Sequence, residues 1–263
     1  MESDLERVEV WRFTDGSSVI AEDVVAREFP LTVILNDREL VTLLCSPADL
    51  KNLAVGFLFS EGLISSRSDI KRVVIDSTRG VARVETHEDH FEANEVFRRF
   101  ISSGCGRGAS FYSAADAAGM SKVSSSLSIA PQDIASLLKE FQQRSELFRS
   151  TGGVHSAALC DVGNILVFAE DVGRHNAIDK IFGRCLLEEI YTTDRIVVTS
   201  GRVSSEILLK VAKRDVPIVA SKSAPTDLGV RLARDLGITL LGFVRGRRMN
   251  VYANDWRLKN DQR

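Results

Sequence analysis

The alternation in the second half of the chain constrains its architecture more than any single residue. Strand-like runs at residues 156–160, 165–169, 195–199, 217–220 and 238–244 are interleaved with helical patterns at 175–190, 204–214 and 227–236. Short aliphatic runs bounded by turn residues read as strands, and longer segments with apolar residues at helical spacing read as helices. Such a βαβα rhythm predicts a sheet, at least partly parallel, covered by helices. In sheets of this kind ligands gather beyond the carboxyl ends of the strands, so the segments that follow the strands are the ones to inspect.

The first half reads differently. Residues 8–13 and 31–35 are short strands, with Asn36-Asp37 as a turn, and residues 71–76 and 81–86 form a strand pair. Between them Ser46 is placed to cap a helix, with Pro47 at the first helical position and Asp49 at the third. Leu50, Leu53, Ala54, Phe57 and Leu58 then share one face, and Glu61-Gly62 closes the element. The serine-heavy run 121–126 suggests a linker, followed by an amphipathic helix over 131–148 with Ile134, Leu137, Leu138 and Phe141 on one face. The expected organisation is a β-rich α+β N-terminal region, residues 1–125, and a C-terminal α/β domain, residues 126–263.

Charge narrows the function. A formal net charge of −2 over 263 residues opposes a nucleic-acid binder, so any anion must be met by a local arginine cluster. The acidic start, Met1-Glu2-Ser3-Asp4, lacks the parts of a signal peptide, and no apolar run reaches the length of a membrane span. Four cysteines far apart, with no C-x-x-C pair, indicate neither a zinc cage nor a disulfide framework. Reduced thiols in the cytoplasm fit that pattern.

Four strand-to-helix or strand-end junctions carry polar and basic residues: Glu170-Asp171-Val172-Gly173-Arg174-His175-Asn176, Ser200-Gly201-Arg202-Val203-Ser204-Ser205-Glu206, Ser221-Lys222-Ser223-Ala224-Pro225-Thr226-Asp227 and Arg245-Gly246-Arg247-Arg248-Met249-Asn250. Helix N-termini offer unpaired N–H groups, and arginine adds two-pronged donors for the same anion. One such junction is ordinary capping chemistry. Four in one alternating domain favour a large phosphate-bearing ligand, with Arg245, Arg247 and Arg248 as the densest cluster.

Among the cysteines, Cys105 stands apart in Ser103-Gly104-Cys105-Gly106-Arg107-Gly108, whereas Cys45, Cys160 and Cys185 sit in apolar or helical runs and read as buried. Loop amides and Arg107 would lower its pKa; an exposed cysteine in a Gly/Ser loop is the other reading of the same residues. His155, in Gly152-Gly153-Val154-His155-Ser156-Ala157, lacks the Glu two places on and the later P-C-x-x-C of a zinc deaminase, and reads as a satisfied structural histidine or as a group supporting a site from behind. His175 reads as a cap or an anion contact, His87 and His90 as solvated surface. Asp171 reads as a partner of a helix N-terminus and Asp179 as part of a solvated or interface face.

Taken together, Gly56-Phe57-Leu58-Phe59-Ser60-Glu61-Gly62-Leu63-Ile64, Thr151-Gly152-Gly153-Val154-His155, Asp171-Val172-Gly173-Arg174-His175-Asn176-Ala177-Ile178-Asp179-Lys180, the Ser200 to Glu206 junction and Gly242-Phe243-Val244-Arg245-Gly246-Arg247-Arg248-Met249-Asn250 resemble the FdhD family of formate dehydrogenase accessory proteins. The resemblance covers nearly the whole chain. It implies a C-terminal cytidine-deaminase-like α/β domain without the zinc site. It also implies a sulfurtransferase-type sulfur carrier that takes sulfane sulfur from a cysteine desulfurase and passes it to the bis-molybdopterin guanine dinucleotide molybdenum cofactor, before that cofactor enters the formate dehydrogenase apoenzyme. The persulfide-bearing cysteine maps onto Cys105, the cofactor-binding run onto Phe243, Val244, Arg245, Gly246, Arg247 and Arg248, and a homodimer is suggested. Many members carry a C-x-x-C pair; here Gly108 stands where the second cysteine would be. A cofactor-delivering chaperone that carries no sulfur is the alternative. A cysteine-nucleophile hydrolase would need a base against Cys105, to which His155 and His175 are distant in sequence.

Overall fold

The computed structural model describes residues 4–88 and 120–259. Cys105, Arg107, Gly108 and His90 lie outside the described residues. The chain begins with an antiparallel hairpin, β1 (Leu5–Thr14) and β2 (Ser17–Ala26), whose Asp15-Gly16 turn takes positive φ at both residues. A second hairpin follows, β3 (Phe29–Leu35) and β4 (Arg38–Cys45), turning at Asn36-Asp37 as expected, again with positive φ at both. Helix α1 (Leu50–Glu61) leads to β5 (Ile70–Asp76) and β6 (Val81–Thr86). These complete a four-stranded sheet of order β4-β3-β6-β5, with β3 and β6 parallel.

The second half contains α2 (Pro131–Arg144), α3 (Glu146–Thr151), β7 (His155–Cys160), β8 (Ile165–Asp171), α4 (Arg174–Leu187), β9 (Ile196–Thr199), α5 (Ser205–Ala212), β10 (Ile218–Ser221), α6 (Asp227–Leu236), β11 (Thr239–Arg245) and β12 (Arg248–Ala253). Its six-stranded sheet runs β12-β11-β10-β9-β7-β8. Strands β9, β10 and β11 are parallel, as the alternation requires, while β7, β8 and β12 are antiparallel to their neighbours.

Strand period sorts the core. Ala157, Leu159, Val197, Val219 and Leu240 point to the side of α4, α5 and α6, and Ala158, Cys160, Ile196, Val198, Ile218 and Ala220 point to α2. Helix α2 seals that second face with the predicted stripe Ile134, Leu137, Leu138 and Phe141, and Phe141 meets Phe168 edge-on at 5.6 Å. On the first face α1 lies between α4 and the four-stranded sheet, so Leu31, Val33 and Val84 belong to the same buried cluster as Ile178 and Phe182.

The crossing of α1 over α4 is a backbone contact. A Cβ on Gly56 would lie 1.8 Å from the Asp179 carbonyl oxygen, and one on Gly183 would lie 1.9 Å from that of Asn52. Two ion pairs flank the region, the first fully buried and the second with only its lysine partly exposed. Asp171 meets Lys180 at 2.7 Å and accepts from the Ser46 N–H at 3.0 Å; Lys180 also donates to the Ser46 carbonyl at 3.2 Å. Asp179 meets Lys210 at 2.7 Å and accepts from the Ser60 hydroxyl at 2.6 Å. Two of the motifs that carry the family likeness, Gly56 to Ile64 and Asp171 to Lys180, therefore form the joint between the two sheets.

Several local expectations are corrected. Asp179 is buried at this joint and ion-paired, with no solvated face. Helix α1 starts at Leu50 behind a left-handed Asp49, because the Ser46 hydroxyl accepts the Val172 N–H instead of capping its own helix. The helix expected over 131–148 breaks at Ser145, whose hydroxyl turns back to the Phe141 carbonyl. Within the serine run 121–126 only Val123 is buried, its N–H donating to the Leu236 carbonyl. Residues 248–253 form β12, an element the arginine-rich run concealed.

Candidate functional site: a basic ledge at the strand ends

Because β9, β10 and β11 are parallel, their carboxyl ends share one edge of the sheet. Strand β7 runs antiparallel to β9, so its first residues, His155 and Ser156, come to that same edge, and β8 returns to deliver Glu170 and Asp171. The N-termini of α4, α5 and α6 open there as well. All four junctions read from the sequence thus converge on one ledge.

Hydrogen bonds lock its loops to one another. The Ser200 hydroxyl accepts the Ser156 N–H at 2.9 Å and lies 3.4 Å from His155 Nδ1. The Ser221 hydroxyl donates to the Gly201 carbonyl at 2.7 Å, and the Lys222 N–H donates to Thr199 at 3.1 Å. The Val203 N–H donates to Ala224, and the Phe243 N–H donates to Ser223.

The 243–248 run occupies one end. Phe243 has φ 51, a left-handed conformation that a phenylalanine adopts only under constraint, at a bulge where the β11–β12 register slips between Gly242 and Arg245. Gly242 permits the bulge, since a Cβ there would lie 2.8 Å from the Tyr252 ring and 3.1 Å from Pro225. The bulge presents Phe243 partly to solvent while Val244 remains buried. Arg245 and Arg248 pair across a tight turn through Gly246, φ 55, leaving Arg245, Arg247 and Arg248 exposed. Burial and Arg245 hold the Lys222 amine below its ordinary value, which places a fourth cation beside them.

At the other end stand His155, Arg174, His175 and Arg202. Burial, then Arg174, Arg202 and His175, depress the His155 pKa against the opposing pull of Asp171. His175 Nε2 lies 3.1 Å from Glu206 Oε2, and this partner holds the Glu206 carboxyl below its usual range. Sequence leaves His155 as a structural histidine or a group supporting a site; the antiparallel placement of β7 brings it to the ledge. Asp171 serves the fold: beyond Lys180 and Ser46 it accepts from the Gly173 N–H and from Asn176 Nδ2.

Cys45, Cys160 and Cys185 are buried as the sequence indicates, and burial pushes each thiol up to about 12. Among the described residues no three His, Cys, Asp or Glu side chains group as metal ligands, and no helix is long and apolar enough to cross a membrane.

The ledge and its fold define a mixed α/β protein whose polar and basic loops are fixed by a sheet on one side and by a glycine-mediated helix crossing on the other. The chain belongs to the FdhD/NarQ family, which matches residues 26–259. It is 45% identical over 252 residues to the sulfur carrier protein FdhD of Bacillus subtilis (strain 168), covering 95% of this chain and 96% of that one. It is 42% identical over 248 residues to the protein of the same name from Staphylococcus aureus (strain MRSA252), covering 94% of each. Its fold matches the crystal structure of a formate dehydrogenase accessory protein from Desulfotalea psychrophila, with a TM-score of 0.81 and 27% identity over 97% of this chain and 99% of that one.

Proposed function

We propose that this chain is a sulfur carrier required for formate dehydrogenase activity. It receives sulfane sulfur from a cysteine desulfurase on Cys105 and transfers it to a bound bis-molybdopterin guanine dinucleotide molybdenum cofactor, which is cargo and substrate. The observation that carries this reading is the basic ledge, on a chain whose relatives are named sulfur carriers over almost their whole length. The 243–248 run supplies Arg245, Arg247 and Arg248 to guanine-nucleotide phosphates, with Lys222 alongside and the partly exposed Phe243 ring next to them. A cytidine-deaminase-like fold of the C-terminal domain, without the zinc site, belongs to the same reading.

In the loading step the Cys105 thiolate attacks the outer sulfur of the donor's persulfide. The new S–S bond forms as the donor's own S–S bond breaks, and the donor cysteine leaves as thiolate. With Gly108 in place of a second cysteine, Cys105 works without a resolving thiol next to it in sequence.

Incubation of the protein with a desulfurase and cysteine, followed by mass spectrometry of the intact chain and of its peptides, tests the assignment. One added sulfur on the Cys105 peptide is expected, together with loss of formate dehydrogenase maturation in Cys105→Ala. Full maturation with Cys105→Ala would overturn the carrier role and leave cofactor delivery as the function.

A further inference from the structure

The two ends of the ledge are too far apart to serve one anionic group. From β11 through β10 and β9 to β7 are three strand steps, which at ~4.8 Å each is about 14 Å. A phosphate or pyrophosphate held at the 243–248 turn does not reach His155.

We propose that His155, Arg174, His175 and Arg202 form a second anion-binding site that takes a phosphate or pyrophosphate group independently of the 243–248 run. Three separate elements build it. His155 opens β7 beside Ser200, Arg174 and His175 open α4, and Arg202 follows β9. Gly201 is the join between them: a Cβ there would lie 2.8 Å from the Arg174 Cβ, so the arginine stem crosses the loop at the point where only glycine leaves room.

The local charge is only partly balanced by the protein, since Glu206 lies within electrostatic reach of Arg174 as well as His175. Asp171 is spent on Lys180 and backbone N–H groups, and Glu206 is engaged by His175. Neither Arg174 nor Arg202 makes an ion pair among the described residues. Three polar atoms are also left over, since Arg174 Nε, Ser204 Oγ and His175 Nε2 are buried without a hydrogen-bond partner among those residues, His175 meeting Glu206 as a charge contact at 3.1 Å. Ser204 stands at the N-cap of α5 yet caps nothing. Groups of this kind carry a desolvation cost that an anion or water bonded to them recovers. The mutual repulsion of His155, Arg174, Arg202 and His175 is the electrostatic counterpart of the same deficit, and a dianion among them relieves it.

The inference rests on the carrier reading only for the identity of the natural ligand. A cargo with two guanine dinucleotide limbs has two pyrophosphate groups, and a ledge with two basic ends can take one at each.

Titration of the full chain with inorganic pyrophosphate, followed by calorimetry and by the histidine ring resonances, separates the outcomes. The expected result is two pyrophosphates per chain and a His155 resonance that shifts with one of them. Arg202→Ala, an exposed position, should weaken that site about tenfold or more and abolish the His155 response, with Arg202→Lys retaining most of it. Arg247→Ala should weaken the other site and leave His155 responsive. Silent His155 and His175 resonances at saturating pyrophosphate, or an Arg202→Ala chain that binds like wild type, would overturn the proposal. Cys105→Ala leaves this binding intact, so failure of the sulfur-carrier role and failure of the second site are read by different measurements.

Discussion

Replacing Gly183 with alanine puts two physical effects in direct opposition. Helix propensity alone favours the change, by about 1 kcal/mol in a helix interior. The α1–α4 crossing opposes it, because the new Cβ would lie 1.9 Å from the Asn52 carbonyl oxygen and 2.6 Å from the Gly56 nitrogen, and real Cβ contacts essentially never fall under 3.0 Å. The obstacles are backbone atoms, so no side chain can swing aside, and the helices must part by about 1.1 Å, the gap between 1.9 and 3.0 Å. The same opening would take the 2.6 Å Ser60–Asp179 bond beyond hydrogen-bonding range. Overpacking costs about 1–3 kcal/mol and a lost hydrogen bond to a buried charge about 1.5–3 kcal/mol, so the net expectation is a loss of about 2–5 kcal/mol. For a chain of this size that corresponds to a fall in Tm of roughly 10 °C. Urea unfolding followed by circular dichroism reads the change directly. Gly163→Ala, where the new Cβ would have only the Asp161 carboxylate at 3.9 Å, serves as the control and should stay within about 0.5 kcal/mol. A Gly183→Ala protein as stable as wild type, or more so, would refute the claim that backbone contact fixes the joint.

Lys180→Met strands the Asp171 carboxylate at a fully buried site, and should cost about 3–5 kcal/mol in urea unfolding; a loss below 1 kcal/mol would show that the surrounding N–H donors suffice without the cation. His155 is held below its ordinary 6.5, so as pH falls through that value the unfolded chain takes up its proton first. Its contribution to stability is therefore present above pH 6.5 and lost as pH falls toward the folded-state pKa. His155→Gln should flatten the change in urea midpoint between pH 7.5 and 5.5, and an unchanged slope would contradict the assignment. With the thiols of Cys45, Cys160 and Cys185 buried and raised to about 12, iodoacetamide at pH 8 should add one label to the native chain, on Cys105, and four in urea. A native label on any of the three buried cysteines contradicts their burial.

The alternating half was legible because each of its strands is short, aliphatic and bounded by turn residues, and the alternation itself locates the sheet edge. Strand β12 escaped because Arg248, Met249 and Asn250 continue a basic turn and have no strand periodicity of their own; pairing with β11 makes them a strand. Ser46 and Asp179 were misplaced for a shared reason. Their partners, Val172 and Lys210, are 126 and 31 residues away, and local capping or helical-face rules cannot see them. The ledge was readable as four junctions but not as two poles, because the position of His155 depends on β7 inserting antiparallel between β8 and β9. Cys105, singled out by its glycines and Arg107, lies outside the described residues, and its assignment rests on sequence and family.

Helix α4 has its N-terminus among the ledge cations and its middle in backbone contact with α1, which in turn lies on the four-stranded sheet. Where Gly56 and Gly183 meet, no side chain lies between the two helices to deform, and the Ser60–Asp179 bond ties them beside that point. Displacing α4 therefore displaces α1 at that crossing, and with it the helix that packs against β5 and β6.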